Sequence, residues 1–168
     1  MPKVAVVMGS DSDLPVVEKA VNLLEHFGIE REVRVISAHR TPDMAAEFAK
    51  GAEQSGTEVI IAAAGKAAHL PGVLAAFTSL PVIGIPVKSS TMDGLDSLLS
   101  IVQMPAGVPV AAVAINGSEN AALLAVQMLA IKYPALAAAL KTYREDMQEK
   151  VREKDEKIRH SFMPNAAD

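Results

Sequence analysis

Val4-Ala5-Val6-Val7-Met8-Gly9-Ser10-Asp11-Ser12-Asp13 leads into Leu14–Phe27, where Val17, Ala20, Val21 and Leu24 recur at helical spacing. A continuous apolar run, a glycine turn and an amphipathic segment read as strand, loop and helix. The run does not alternate, which suits a strand covered on both faces of a parallel sheet. Gly28 marks the helix stop.

The same unit repeats outward from there at about 26 residues per step. Val33–Ile36, Val59–Ala63, Val82–Ile85 and Val110–Ile115 are the further apolar runs, each read as a strand buried on both faces. Helical patterns fill the gaps at Pro42–Gln54, Leu70–Phe77, Leu95–Val102 and Asn120–Tyr133. Thr41 stands where an N-cap belongs, ahead of Pro42 at the first helical position and Asp43 in the first turn. The expectation is an α/β domain, a doubly wound parallel sheet of about five strands in the order 2-1-3-4-5 with helices on both faces.

Charge divides the chain into three. Residues 1–60 carry 16 charged side chains, residues 61–140 carry six, and residues 141–168 carry 14. A folded monomer of this mass has roughly 8,000 Å² of surface. Eighty residues with six charges are poorly equipped to cover their share, which predicts burial in subunit contacts and an obligate oligomer. Residues 1–134 are read as one α/β domain and 135–168 as a helical extension, a solvated helix laced with charge pairs that can also pack on a neighbouring subunit through Leu136, Leu140, Tyr143, Met147 and Val151.

Composition excludes several classes. The chain has no Cys, which removes disulfides, thiolate metal sites and cysteine nucleophiles. A net charge of −4 argues against a general nucleic-acid binder. No apolar stretch is long enough for a membrane span, and the N-terminus lacks the pattern of a signal peptide, so a cytoplasmic protein is expected. No His, Asp and Glu cluster has metal-ligand spacing, so no metal is expected. His26 and His160 read as surface residues, and the eight Met as packing.

In open α/β sheets, ligands bind beyond the carboxyl ends of the strands where strand order reverses. Three loops meet there. Gly9 to Asp13 offers a sharp turn, Ser10 and Ser12 hydroxyls and helix N-terminal amides, which form an anion site, while Asp13 suits neutral hydroxyls such as a ribose diol. On spacing alone, these residues fit helix capping equally well. Ser37-Ala38-His39-Arg40-Thr41-Pro42 presents Arg40 as a bidentate phosphate ligand and His39 as a general acid or base. Ala64 to Gly72 has small residues that admit a ligand near the backbone, with His69 able to donate to a planar group. A P-loop reading of Gly65-Lys66 fails because residue 60 is Ile and residue 67 is Ala. A phosphoacceptor receiver domain fails for want of an Asp at the end of the third strand.

With these loops in hand, the sequence resembles the N5-carboxyaminoimidazole ribonucleotide mutase family, the catalytic-subunit type of phosphoribosylaminoimidazole carboxylase. The resemblance rests on Met8–Asp13, Ser37–Pro42, Ala67-Ala68-His69-Leu70-Pro71-Gly72 and Gly94–Pro105, and it covers the chain to about residue 134. It implies a flavodoxin-like three-layer α/β/α fold, a homo-octamer and a cofactor-free reaction on a small ribonucleotide. Residue by residue, it implies a catalytic His39, substrate binding by Ser10, Asp13 and Arg40, and site loops containing Ser12, Ser37, His69 and Leu70. Ala67 and Ala68 would wall a tight pocket for CO₂. Lys66 departs from the family's Gly-Gly-Ala-Ala-His pattern and is read as a tolerated variant whose side chain leaves the pocket or meets a neighbouring subunit. The alternatives are a direct carboxylase of the same fold and a non-catalytic nucleotide-binding module.

Overall fold

The computed structural model describes residues 1–162. In chain order the elements are β1 (Lys3–Met8), a 3₁₀ turn (Asp11–Asp13), α1 (Leu14–His26), β2 (Glu30–Val35), α2 (Pro42–Gly51), β3 (Val59–Gly65), α3 (Leu70–Ala76), β4 (Val82–Val87), α4 (Leu95–Val102), β5 (Ala111–Ala112), α5 (Ser118–Ala130) and α6 (Pro134–Ser161). The five strands form one parallel sheet in the order β2-β1-β3-β4-β5, a flavodoxin-like α/β fold.

Successive side chains of a strand face opposite sides, and β1 and β3 use both sides for core. Val4, Val6 and Met8 with Val59, Ile61 and Ala63 pack toward α1, α5 and α6. Ala5 and Val7 with Ile60, Ala62 and Ala64 pack toward the layer of α2, α3 and α4. Ile60, Ile61 and Val6 are fully buried, and each such side chain contributes roughly 1.5–3 kcal/mol. The register sets Val4 against Val59 and Met8 against Ala63, so β1 and β3 end level and their following loops emerge together.

Two strands depart from expectation. β2 is not a doubly buried Val33–Ile36 run; it starts at Glu30, and most of it is exposed. It is an edge strand, and Glu30, Arg31, Glu32 and Arg34 put charge along it. Lys3 meets Glu32 at 3.1 Å, and Arg34 lies over the Phe48 ring. Ile36, one residue past the strand, is the buried anchor, its amide donating to the Met8 carbonyl at 2.9 Å. Likewise the Val110–Ile115 run pairs only at Ala111 and Ala112. The Val113 amide still reaches the Gly84 carbonyl, and the chain then peels away so that the Asn116 amide bonds the Pro86 carbonyl at 2.8 Å.

The helices follow the expected spans closely, with local corrections. Thr41 stands at the N-cap of α2 but makes no side-chain cap; its hydroxyl is engaged by Ser37. The C-terminal segment is one helix of 28 residues, about 42 Å long. Leu136 and Leu140 are buried in the chain's own core with α1 and α5, not reserved for a neighbour. Tyr143 rests on the Phe27 ring at 5.6 Å. From Arg144 to Phe162 every residue is exposed. Residues 163–168 of the expected extension lie outside the described residues. No helix among the described residues is long and apolar enough to cross a membrane.

Candidate active site

β1, β2, β3 and β4 end at one rim, and their four following loops enclose a cavity of about 410 Å³. Its wall contains Ser10, Ser12, Asp13, Ser37, His39, Arg40, Ala67, His69 and Leu70, all nominated from the sequence, but not Ala68. The topology brings them together from positions up to sixty residues apart, because ligand sites of doubly wound sheets form at the strand-order reversal.

The loop after β1 is held by its own hydroxyls. Ser10 caps the 3₁₀ turn, its Oγ accepting from the Ser12 amide at 3.3 Å and from the Ser12 hydroxyl at 2.9 Å. This cluster sits at the entry to α1, where unpaired amides and the helix dipole favour an anion. Desolvation by burial pushes the Asp13 carboxyl up from its ordinary value of 3.8; a Ser10 backbone hydrogen bond pulls it down, and the charge of Asp11 adds to the rise. A carboxyl whose folded value lies above its unfolded one binds its proton more tightly in the native state. Stability is therefore lost as pH rises through that window, and at neutral pH the penalty is complete. Asp13→Asn is expected to melt higher than the parent at pH 7, with the difference closing as pH falls toward 3.8, as calorimetry across pH would show.

The loop after β2 closes on itself. The Ser37 amide donates to Thr41 Oγ1 at 3.0 Å, Thr41 Oγ1 donates to the Ser37 carbonyl at 3.0 Å, and the Arg40 amide donates to Ser37 Oγ at 3.1 Å. Ser37 and Thr41 thus form a short rigid ring of bonds, with His39 and Arg40 standing on it. Ser37 reaches the cavity, but its first task in the structure is to hold this loop.

The loop after β3 brings the second imidazole. His39 Nε2 lies 2.7 Å from His69 Nδ1, the rings edge to face with centroids 4.9 Å apart. At that distance one nitrogen donates and the other must be bare, so each ring orients the other. Ala67 lines the cavity, whereas Ala68 is fully buried in the core beneath it and is not a wall residue. Lys66 also lines the cavity.

Val87 at the end of β4 and Lys88, Ser89 and Ser90 after it complete the wall and were not nominated from sequence. Ser89 donates to both carboxylate oxygens of Asp96, at 2.9 and 3.1 Å, and the Lys88 amide donates to Asn116 Oδ1 at 2.9 Å. The signal was present: a Lys-Ser-Ser triplet directly follows the fourth apolar run. Arg40, Lys66 and Lys88 set three cations against the single carboxylate of Asp13, a wall suited to an anionic ligand. No group of three His, Cys, Asp or Glu able to hold a metal occurs among the described residues.

A sequence model of the family described as AIR carboxylase matches residues 3–150. The N5-carboxyaminoimidazole ribonucleotide mutase of Thermotoga maritima is 60% identical over 158 residues, covering 94% of this chain and 92% of that protein. The protein of the same name from Pyrococcus abyssi is 63% identical over 148 residues, 88% of this chain and 85% of that one. Among solved structures, Treponema denticola PurE superposes with a TM-score of 0.86 at 32% identity, covering 94% of this chain and 98% of that one. The rim of four loops, the paired imidazoles and these full-length similarities agree, and the chain belongs to the AIR carboxylase family.

Proposed function

We propose that the chain is an N5-carboxyaminoimidazole ribonucleotide mutase, moving a carboxylate from the exocyclic nitrogen of its substrate to a ring carbon to give the 4-carboxy-5-amino isomer, a step of purine biosynthesis. The observation that carries the reading is the His39 imidazole, held by His69 at 2.7 Å in the wall of a cavity that Ser10, Ser12 and Arg40 also line. The mutase relatives, at about 60% identity over nearly the whole chain, support it over the direct carboxylase.

The residues fit the steps. Ser10, Ser12 and the amides at the start of α1, with Arg40, hold the phosphate, while Asp13 accepts from the ribose hydroxyls. This remote binding energy fixes the ring against His39. His39 lends a proton to the ring carbon. The bond from nitrogen to the carboxylate carbon then breaks, CO₂ departs, and the electron pair stays on nitrogen. His39 takes that proton back, the electron pair it frees on the ring carbon attacks CO₂, and the carbon's own hydrogen moves to the imine nitrogen as the ring regains aromaticity. On balance one carbon–nitrogen bond is exchanged for a carbon–carbon bond and one hydrogen passes from carbon to nitrogen. No redox partner is needed. Asp13→Asn, which stabilises the free protein, is expected to weaken substrate binding roughly tenfold by removing a charged acceptor.

Free CO₂ must be kept from solvent, yet His39, Arg40, Ala67 and His69 are all exposed in the single chain. The apolar surface is also uncovered: Phe77, Leu95, Leu99 and Val102 from the charge-poor stretch, and Met147, Val151, Ile158 and Phe162 along α6. These features support a homo-oligomer, in our reading an octamer, with subunit contacts on the helical faces and closure of the site by neighbours. Val151→Glu, at a position 64% exposed in the isolated chain, is expected to leave the fold intact and shift sedimentation toward smaller species.

The test of function is turnover by purified protein, offered the carboxyamino substrate without bicarbonate and then the uncarboxylated ribonucleotide with bicarbonate. Product from the first at low enzyme concentration supports the mutase. Efficient product from the second alone supports the carboxylase, and none from either sinks both.

A further inference from the structure

Lys66 holds a backbone conformation that its side chain disfavours. Its φ is 54°, in the left-handed region, and it is one of three residues other than glycine with positive φ among the described residues. The loop fixes it there: the Ala68 amide donates back to the Lys66 carbonyl at 2.8 Å, and the His69 amide to the Ala67 carbonyl at 2.8 Å. Glycine would hold this bend without strain. A strained residue on a site loop points toward a use for its side chain.

Position narrows that use. Lys66 lines the cavity on the loop that carries His69, three residues before the imidazole that touches His39. The phosphate-binding groups, Ser10, Ser12 and Arg40, sit on the loops after β1 and β2. Of the other cavity cations, Lys88 is paired with Asp93 at 3.2 Å, whereas Lys66 has no ion-pair partner among the described residues. A ribonucleotide seated with its ring at His39 and its phosphate at Ser10 carries a second anion, the carboxylate, at the ring end.

We infer that Lys66 is a specificity-determining residue whose ammonium pairs with the ring-end carboxylate of substrate and product, distinguishing carboxylated from uncarboxylated ribonucleotide. The inference rests on the mutase reading above. A mobile ammonium on a four-carbon stem can follow the carboxylate from nitrogen to carbon, which a rigid guanidinium fork could not. When the carboxylate leaves as neutral CO₂, the charge pairing disappears, so Lys66 favours bound reactant and product rather than the barrier between them. Its removal therefore raises KM without lowering kcat, because the bound reactant loses a stabilisation that the barrier does not share.

The experiment measures binding of two ribonucleotides, the 4-carboxy-5-amino product and the uncarboxylated aminoimidazole, to the parent protein, Lys66→Met and Lys66→Gly, with steady-state kinetics on each. Both variants are expected to bind the carboxylated ligand roughly tenfold more weakly, as befits one lost charge-assisted contact. Binding of the uncarboxylated ligand should be unchanged. KM should rise with kcat undiminished, and the salt dependence of KM should flatten. Lys66→Gly should melt no lower than the parent, which separates the effect from misfolding. Equal losses for both ligands would place the ammonium on the phosphate and overturn the inference, as would no loss for either. A parent protein that binds neither ligand would overturn the mutase reading together with it; parent turnover with unaffected variants would overturn the Lys66 inference alone.

Discussion

His39→Asn is expected to lower turnover by about 10²–10⁴-fold while leaving the affinity for the carboxylated product unchanged. Asparagine keeps a polar side chain near His69 but cannot carry a proton back and forth, and the reaction requires the same proton to be given to and recovered from one carbon. The groups proposed for the phosphate and ribose, Ser10, Ser12, Asp13 and Arg40, are other lining residues of the cavity, so binding is expected to survive. Calorimetric titration with product and an isomerisation assay on the same preparation separate the two properties. A variant that keeps more than about a tenth of parental turnover would assign the proton to another group. His69→Ala gives the complementary outcome: the proton carrier remains but loses the neighbour that orients it at 2.7 Å, and activity falls by a smaller factor.

Gly84→Val is expected to destabilise the protein by about 1–3 kcal/mol or more, read from the midpoint of denaturant unfolding. Gly84 lies in the middle of β4, and a Cβ there would run into Ile101 Cγ2 of α4, well inside van der Waals contact. Val110 Cγ1 at 3.2 Å and Pro71 Cβ at 3.3 Å close the other sides. Ile101 is fully buried and cannot swing away. The absent side chain thus lets α3 and α4 settle close to the sheet, and α4 in turn supplies Asp96 and Ser97 to the loop that forms one wall of the cavity. Gly84→Ala combined with Ile101→Ala should be less destabilising than the sum of the two changes, since the new methyl occupies space the truncation opens. Additive losses would mean that the clash is relieved elsewhere.

Much of this architecture could be read from the chain because its core strands speak in one voice. Val4–Met8 and Val59–Ala63 are apolar on both faces, and the helix starting at Leu14 and the one spanning Leu95–Val102 appear at their expected residues. Reading failed where tertiary context outweighed pattern. Glu30–Val35 is a strand that looks like a surface segment, since its pairing to β1 comes from backbone bonds and its side chains face water. Val110–Ile115 is apolar throughout yet pairs at only two residues, because Asn116 is drawn off to close the end of β4. The loops after β1, β2 and β3 were legible because Gly, Ser, His and Arg are unusual beside buried strands. The Lys88–Ser90 wall was missed because it follows a strand one place away from the order reversal. Lys66 takes a left-handed φ, which nothing in a lysine announces.

The charged lateral strand has a consequence for how copies of this chain meet. Along β2 three of the charges already have partners on the same chain: Arg31 with Glu25, Glu32 with Lys3, and Arg34 with Glu32. At the far side of the sheet β5 offers only two paired residues, too few to template another strand. Both margins are thereby closed to sheet-on-sheet growth of the kind that seeds fibrils. A crowded, partly folded population of this protein is steered away from endless stacking and toward the finite, helix-lined assemblies its apolar faces can complete.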